Sequence, residues 1–477
     1  MCAGFAVYWN SLAAPFLFDD EPSIVNNLKI RDLTALTRVL SPPHATPVAG
    51  RPVVNLSFAV NYALGGLDVR GYHLFNIGIH VLAALVLFGI VRRTLDLPAL
   101  RVHFGRRSTS LAGACALIWM LHPLQTEAVT YLTERTESMM GLFYLLTLYT
   151  SIRAASGSSA ATWRIASVMA CASGMACKES MVTAPVVVAL YDRIFLFRSV
   201  NESARTRWPL YAGLAATWLE LASLMRLGPR ADSVGLSLGI RSSTYLFNQA
   251  LVIAHYLRLS FWPRALVLDY GLPQQLTLHD VLPAAVFVTC LLLTSVALLV
   301  RRPQLGFLTA WFFITLAPTS SVIPIVTEVG AERRMYLPLI GLVILVVIGA
   351  DWLAGRAIAR AAPPRGQRLA LVSGVLVLTC SSALLAAGTM RRNREYMSRL
   401  SMARTIVDRR PHGRARFTLA TELLAGGHHD EAMAQLWESA RDYPGARFAL
   451  GTELVGSGQL KEGVEQLQAR VLASLRG

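Results

Sequence analysis

Apolar residues gather into twelve runs along the chain, at about 3–18, 73–91, 109–124, 138–152, 165–177, 180–197, 208–225, 243–261, 281–300, 304–323, 336–355 and 369–390. Several fall short of the ~20 residues that cross a bilayer as a helix, which is admissible where helix ends line a polar cavity. After Arg391-Arg392-Asn393-Arg394-Glu395 the hydrophobicity ends and an amphipathic helical pattern runs to residue 477. The pattern predicts an all-α chain: a polytopic membrane region over 1–390 with about 11–12 apolar helices and an external first loop at 19–72, then a helical tail over 391–477.

Arginine placement orders these runs. Arg92, Arg93, Arg101, Arg106 and Arg107 follow the second run, Arg153 and Arg164 the fourth, and Arg198, Arg205 and Arg207 the sixth. Positive loops face the cytoplasm, so the Phe18-Asp19-Asp20-Glu21 stretch falls outside. Arg301, Arg302 and the run Arg356, Arg360, Arg365, Arg368 fit the same rule only if one segment between them and the start does not cross. The segment 243–261 carries Asn248, Gln249, His255 and Arg258, a polar content suited to a re-entrant or interfacial helix. Eleven spans with the N-terminus inside and the tail outside are expected. The first run is short and no basic stretch precedes Val7, so no cleavable signal peptide is expected and the first helix reads as lacking some N-terminal residues.

The tail repeats itself. Ala415-Arg416-Phe417-Thr418-Leu419-Ala420-Thr421-Glu422-Leu423-Leu424 returns as Ala446-Arg447-Phe448-Ala449-Leu450-Gly451-Thr452-Glu453-Leu454-Val455, an offset close to that of a tetratricopeptide repeat (TPR). About two repeats is near the minimum for a solenoid, so the apolar ends of a TPR-like tail call for cover from the membrane region or from a protein partner.

Composition changes the picture in one respect. The formal charge is +16, with 45 basic against 29 acidic residues. In a soluble protein that would suggest nucleic acid, but here the excess is arginine between apolar runs, with no basic patch interleaved with aromatics; no nucleic-acid ligand is expected. The six cysteines lie in or near apolar runs without metal-ligand spacing.

Three acids in a row at a span end are costly unless they face water or a polar cavity. Asp19 and Asp20 read either as a general base or cation ligands, or as a solvated helix cap. His122, Glu127 and Glu134 fall in one short window, where Glu127, Thr130 and Glu134 would share a face of a single helix; the alternative is carboxylates facing water beside Arg135. His73, His80 and His122 lack zinc-protease spacing. Glu332-Arg333-Arg334 at an external span end offers planar donors for a lipid-linked phosphate, or arginines reaching ordinary membrane lipids. Arg51, Lys178 and Arg241 are further donor-binding candidates. Asn55, Asn61, His73 and Asn76 suit either sugar hydroxyls or helix–helix hydrogen bonds.

The ordered set of motifs resembles the transmembrane and tetratricopeptide-repeat O-mannosyltransferases and their bacterial homologues. The residues that carry it are Val7-Tyr8-Trp9-Asn10-Ser11-Leu12 with Phe18-Asp19-Asp20, Arg51-Pro52-Val53-Val54-Asn55-Leu56-Ser57-Phe58, Gly71-Tyr72-His73-Leu74-Phe75-Asn76 with His80, and His122-Pro123 through Glu127-Ala128-Val129. Cys177-Lys178-Glu179, Ala317-Pro318-Thr319-Ser320-Ser321 and Ala331-Glu332-Arg333-Arg334-Met335-Tyr336-Leu337-Pro338 continue it, so that it covers roughly 5–340.

The resemblance implies a GT-C type membrane glycosyltransferase using a sugar on polyprenyl phosphate, with mannose and Ser/Thr hydroxyls the substrates of the eukaryotic members. It places Asp20 as the essential carboxylate with Asp19 in support. Glu127 as a further catalytic group, and Arg333 and Arg334 on the phosphate, are inferences from the residues, with His73, Asn76, His122, Glu179 and Glu332 as supporting polar positions. No cofactor is implied beyond a divalent cation, Mg or Mn, on Asp19 and Asp20. The repeat array is much shorter than in eukaryotic members, leaving the acceptor open between an exported protein and a cell-envelope glycan. Three lysines (Lys29, Lys178, Lys461) against a large arginine excess fit a bacterial coding sequence, hence an inner-membrane protein with its active face and tail periplasmic. A lipid-linked sugar transporter would instead show matching inverted halves, and a membrane-anchored scaffold would need only the tail. Asp19, Asp20, Glu127, Arg333 and Arg334 are expected to converge on one lateral cavity.

Overall fold

In a computed structural model the chain is described except at residues 45, 156–158, 228–240, 322–323, 361–364 and 477. The described residues form helices and turns without a β-strand. Four helices are long and apolar enough to cross a bilayer, Val69–Leu95, Leu278–Arg301, Pro338–Arg356 and Val372–Glu395, and Ser108–Leu121 and Pro303–Leu316 are shorter apolar helices. The chain is a multi-pass membrane protein. Leu278–Arg301 shows the logic: a capping box between Thr277 and Asp280 opens it, and Leu282, Val286, Phe287, Leu293, Val296 and Val300 stand exposed along it, a surface only lipid would cover.

The connections separate into two ends. At one, Arg107 pairs with Asp351, and Arg207 pairs with Asp192 while donating to the carbonyl and hydroxyl of Ser151. The acidic first loop, the 123–134 stretch, Lys178, the 262–277 connector, the 327–334 turn and the tail meet at the other. The tail and the acidic pair therefore share an end, joined directly where Arg399 lies 3.1 Å from Glu21.

The helix Ser242–Phe261 explains its own polarity. Tyr245 donates to Thr319 O, Asn248 to Gln274 O, Gln249 to Val329 O and Tyr256 to Ala331 O. Its side-chain hydrogen bonds to other segments go to connections at the acidic end. Its Asn and Gln side chains are buried against backbone carbonyls that would otherwise lack partners.

The first loop folds into turns at Glu21–Val25, Leu28–Ile30 and Leu36–Val39, then the helix Pro52–Gly65. Asn55 ties them: it donates to Val39 O and accepts from Asn27, which also donates to Ser23 O.

The tail packs as successive antiparallel helices, Arg399–Arg409, Gly413–Ala425, His429–Ser439, Pro444–Gly456 and Leu460–Arg476. The sequence repeat is structural: Ala415 and Ala446, Leu419 and Leu450, and Leu423 and Leu454 are buried pairs. Gly427 and Gly458 occupy the left-handed region and close equivalent helix ends, with His428 N–H donating to Leu423 O and Gln459 N–H to Leu454 O. Met402, Ile406 and Ala415 belong to the core of the membrane region, whereas Ala403 and the tail residues from Leu419 onward form small cores of their own. Packing divides later than hydropathy does.

Candidate active site

The backbone aims the acidic pair. Phe18 has φ +33°, left-handed geometry that costs a residue with a β-carbon about 1–2 kcal/mol. The turn then closes on itself: Asp20 N–H donates to Leu17 O at 2.7 Å, and Leu17 N–H donates to Asp20 Oδ2 at 2.8 Å. Asp20 Oδ1 accepts both the Thr133 N–H, at 2.7 Å, and its hydroxyl, at 2.5 Å. Asp20 is fully buried, and burial pushes its carboxyl up to about 7 against the hydrogen bonds from Leu17 and Thr133. Both of its oxygens are spent pinning the first loop to the stretch after Tyr131.

Asp19 is exposed. Its N–H donates to the Tyr131 hydroxyl at 2.9 Å. Burial and the charge of Glu134 push Asp19 up to about 6, with Arg333 pulling the other way.

Arg333 is the hub. It sits in the turn Glu332–Met335, where its Nη1 pairs with Glu127, its Nη2 with Glu328, and its Nε lies 3.1 Å from Glu134. Its backbone N–H donates to the second oxygen of Glu127 at 2.9 Å. Lys178 stands 2.7 Å from Glu137 and 3.7 Å from Glu134. Burial raises the carboxyl of Glu127 despite Arg333, whereas Arg333 and Lys178 hold Glu134 down against burial. Asp19, Glu127, Glu134, Glu137 and Glu328 thus outnumber Arg333, Lys178 and Arg334, and the surplus of negative charge favours protons on the most buried acids.

Glu127 and Glu134 reach Arg333 by a route the helical-face argument did not foresee. They are not on one helix: Thr126–Thr130 ends at Tyr131, a separate turn spans Leu132–Glu134, and Arg135–Ala154 follows. Asp20 takes the Thr133 N–H and hydroxyl, and this tertiary partner accompanies the break. Arg135 does not pair with these acids either. It is buried, donating to Asn76 Oδ1, Ser57 and Tyr72 O, with its guanidinium over the Phe58 and Phe75 rings.

The remaining candidates divide by what they touch. Arg334 is buried and spends its donors on Thr319 O, Glu328 and the Glu328 carbonyl, a clasp on its own loop. Glu332 accepts from Val267 N–H and the Tyr270 hydroxyl, and its charge acts on Glu127. Arg51 pairs with Glu179 at 3.0 Å, one residue from Lys178, and Val53 N–H reaches Ala176 O, so the first loop is fastened to the lysine loop. His73 bonds Ala14 O and Asn76 donates to Val129 O; both hold helices together. His122 accepts from Leu124 N–H and bonds Ser260 O, the helix-ending role. Arg241 is exposed at the start of Ser242–Phe261, apart from the cluster.

At Asp19 and Asp20 a divalent cation, Mg or Mn, would share Asp20 with the donors from Leu17 and Thr133, while Asp19 is exposed.

Sequence reasoning passed over Glu328, Glu137, Tyr131 and Thr133 as site residues. Glu328 and Glu137 had a signal, being acids close in sequence to Arg333 and Glu134. Tyr131 and Thr133 had none, because their roles depend on a loop more than a hundred residues away.

No family model matches the chain. Among curated proteins it is similar to human protein O-mannosyl-transferase TMTC2, with 34% identity over 210 residues, 42% of this chain and 24% of that protein. Mouse protein O-mannosyl-transferase TMTC3 is 27% identical over 197 residues, 39% of this chain and 20% of that protein. Human protein O-mannosyl-transferase TMTC1 is 25% identical over 500 residues, 92% of this chain and 54% of that protein. The match thus spans a quarter or less of the first two proteins and about half of the third. Among solved structures, ArnT from Cupriavidus metallidurans bound to undecaprenyl phosphate aligns with a TM-score of 0.45 at 12% identity, over 88% of this chain and 79% of that one.

Proposed function

We propose that this chain, a relative of the protein O-mannosyl-transferases, is a glycosyltransferase that moves a sugar from a polyprenyl-phosphate-linked donor to a hydroxyl acceptor, with Asp19 as its general base. One observation carries the reading: Asp19, Glu127, Glu134, Lys178 and Arg333, from separate stretches of chain, meet at one end of a membrane protein. Burying so many charges is expensive, and apolar packing would give stability at lower cost. Buried ionisable groups gathered at the end of crossing helices suit a reaction in which charge moves.

The acceptor oxygen attacks the anomeric carbon and its proton passes to Asp19. The bond from that carbon to the phosphate oxygen breaks, and its electron pair stays on the departing polyprenyl phosphate. A single displacement of this kind inverts the anomeric centre. Asp19, with its carboxyl near 6, is mostly ionised at neutral pH yet more basic than an ordinary aspartate, which suits a general base. Lys178 and Arg333 supply positive charge for the leaving phosphate. Burial raises the carboxyl of Glu127 against the Arg333 charge, while both of its oxygens accept from Arg333. Asp20 positions the loop and does not react.

The names of the relatives favour mannose as the sugar and a protein hydroxyl as the acceptor, and a bilayer-borne donor suits a site at the ends of crossing helices. In this reading the site and tail face the periplasm from a bacterial inner membrane, where exported proteins and envelope glycans are the available acceptors.

The test is reconstitution of the purified chain in liposomes with undecaprenyl-phosphate-linked mannose and Ser/Thr-rich peptides from exported proteins, read by mass spectrometry. Hexose on the peptide, with undecaprenyl phosphate released in equal amount, is the expected result. Neither product from mannosyl or any other hexosyl donor contradicts the proposal.

A further inference from the structure

The connector 262–277 is held from both sides. Facing the active site, Val267 N–H and the Tyr270 hydroxyl donate to Glu332, and Val329 N–H donates to Gly271 O at 3.0 Å. Facing the tail, Arg414 places Nε 2.8 Å from Asp269 Oδ2 and pairs its Nη2 with the other carboxylate oxygen. Its Nη1 donates to Thr327 O at 2.5 Å. That carbonyl immediately precedes Glu328, the acid that holds both Arg333 and Arg334. One guanidinium from the tail therefore grips the connector and the root of the arginine turn together.

Neighbouring contacts act the same way. Arg409 reaches Leu266 O at 2.5 Å and Glu395 at 2.6 Å, and Arg399 holds Glu21, one residue beyond the acidic pair. The pairing with Arg414 keeps the carboxyl of Asp269 low against burial, so this contact stays an ion pair over the working pH range. A planar fork spreads its donors over three nitrogens in fixed directions, matching acceptors on both the connector and the turn, whereas the three donors of an ammonium sit on one atom.

We infer that Arg414 is a positioning residue for the reaction, setting the place of Glu328 and through it the Arg333 guanidinium, so that the first tail helices are part of the active site's framework. The inference rests on the reading of Arg333 as a site residue. It assigns the tail a role distinct from binding a partner.

The experiment uses the full chain with Arg414→Ala, Arg414→Lys, Glu328→Gln and the Arg414→Ala/Glu328→Gln double variant. Hydrogen exchange over 327–336 should quicken at least about tenfold in Arg414→Ala, while Val69–Leu95 and Leu278–Arg301 stay as protected as in the wild type. Turnover of undecaprenyl-phosphate-linked mannose should fall about 10–100-fold, the range expected when a charged group is misplaced by about 1 Å, with donor KM moved less than about threefold. Arg414→Lys should recover part of the loss. The double variant should be no slower than its slower parent, because both changes act through one turn. Unchanged turnover in Arg414→Ala, or losses that multiply with those of Glu328→Gln, would overturn the inference while leaving the proposed function intact. A wild-type chain that turns over no hexosyl donor would instead contradict the proposed function, and this inference with it.

Discussion

Glu127 holds Arg333 twice, accepting the guanidinium on one oxygen and the backbone N–H on the other across 206 positions of chain. The double contact fixes the Glu332–Met335 turn as well as the side chain, and it brings the stretch after Pro123 against the stretch before Pro338. Everything proposed for the site depends on that junction.

Replacing Arg333 tests the junction. Arg333→Ala leaves Glu127, Glu134 and Glu328 without their shared cation, which should cost about 3–5 kcal/mol of stability, measured by denaturant unfolding in detergent. Arg333→Lys should restore much of that stability and little of the turnover, because a single ammonium cannot reproduce the fork. A lysine variant that transfers at the wild-type rate would show that the fork does not matter.

The pH profile should report Asp19. Burial and Glu134 raise its carboxyl to about 6 from the ordinary 3.8, so the basic form is lost as pH falls through about 6. Turnover should decline along an acid limb with its midpoint there. A limb near 4 would mean an unperturbed carboxylate serves as base.

Asp20 should behave as a fold residue. Asp20→Asn turns an amide donor toward one of its three donors from Leu17 and Thr133, leaving at least one of them unsatisfied in a fully buried position, at about 1–3 kcal/mol. Its unfolding midpoint should drop accordingly, and what protein remains folded should keep measurable transfer. An Asp20→Asn chain that is fully stable and fully inactive would transfer the catalytic role to Asp20.

The tail repeat makes a separate prediction. Gly427 and Gly458 adopt φ +76° and +85° with open space where a β-carbon would sit. Alanine at either therefore meets backbone strain without a clash, about 1 kcal/mol each. Hydrogen exchange should rise within the affected helix pair alone. Protection lost equally throughout the membrane region would contradict the separate small cores of the tail.

The sequence carried the architecture well where periodicity was strong. Most apolar runs became helices, but 3–18 is helical only over Cys2–Tyr8 with a turn at Trp9–Ser11. The polar residues of 243–261 fall on a helix whose Asn248 and Gln249 answer buried carbonyls. The acids and arginines that meet at the site were visible as types. Their pairing was not: Glu127 and Glu134 looked like one helical face until Thr133 was claimed by Asp20. The resemblance put Asp20 first of the pair; the turn through Phe18 adds what the sequence could not show, that Asp20 accepts from Leu17 and Thr133 while Asp19 stays exposed. Arg414 gave no signal, since a surface arginine on an amphipathic tail helix is ordinary until its acceptors on the connector are known.

The most direct measurement is single-turnover transfer from undecaprenyl-phosphate-linked mannose by Asp19→Asn, alongside its unfolding midpoint and its binding of undecaprenyl phosphate. Asp19 is exposed, so the amide should fold as well as the wild type and bind the lipid phosphate, yet form no glycosylated product. Transfer at the wild-type rate by Asp19→Asn would contradict the account.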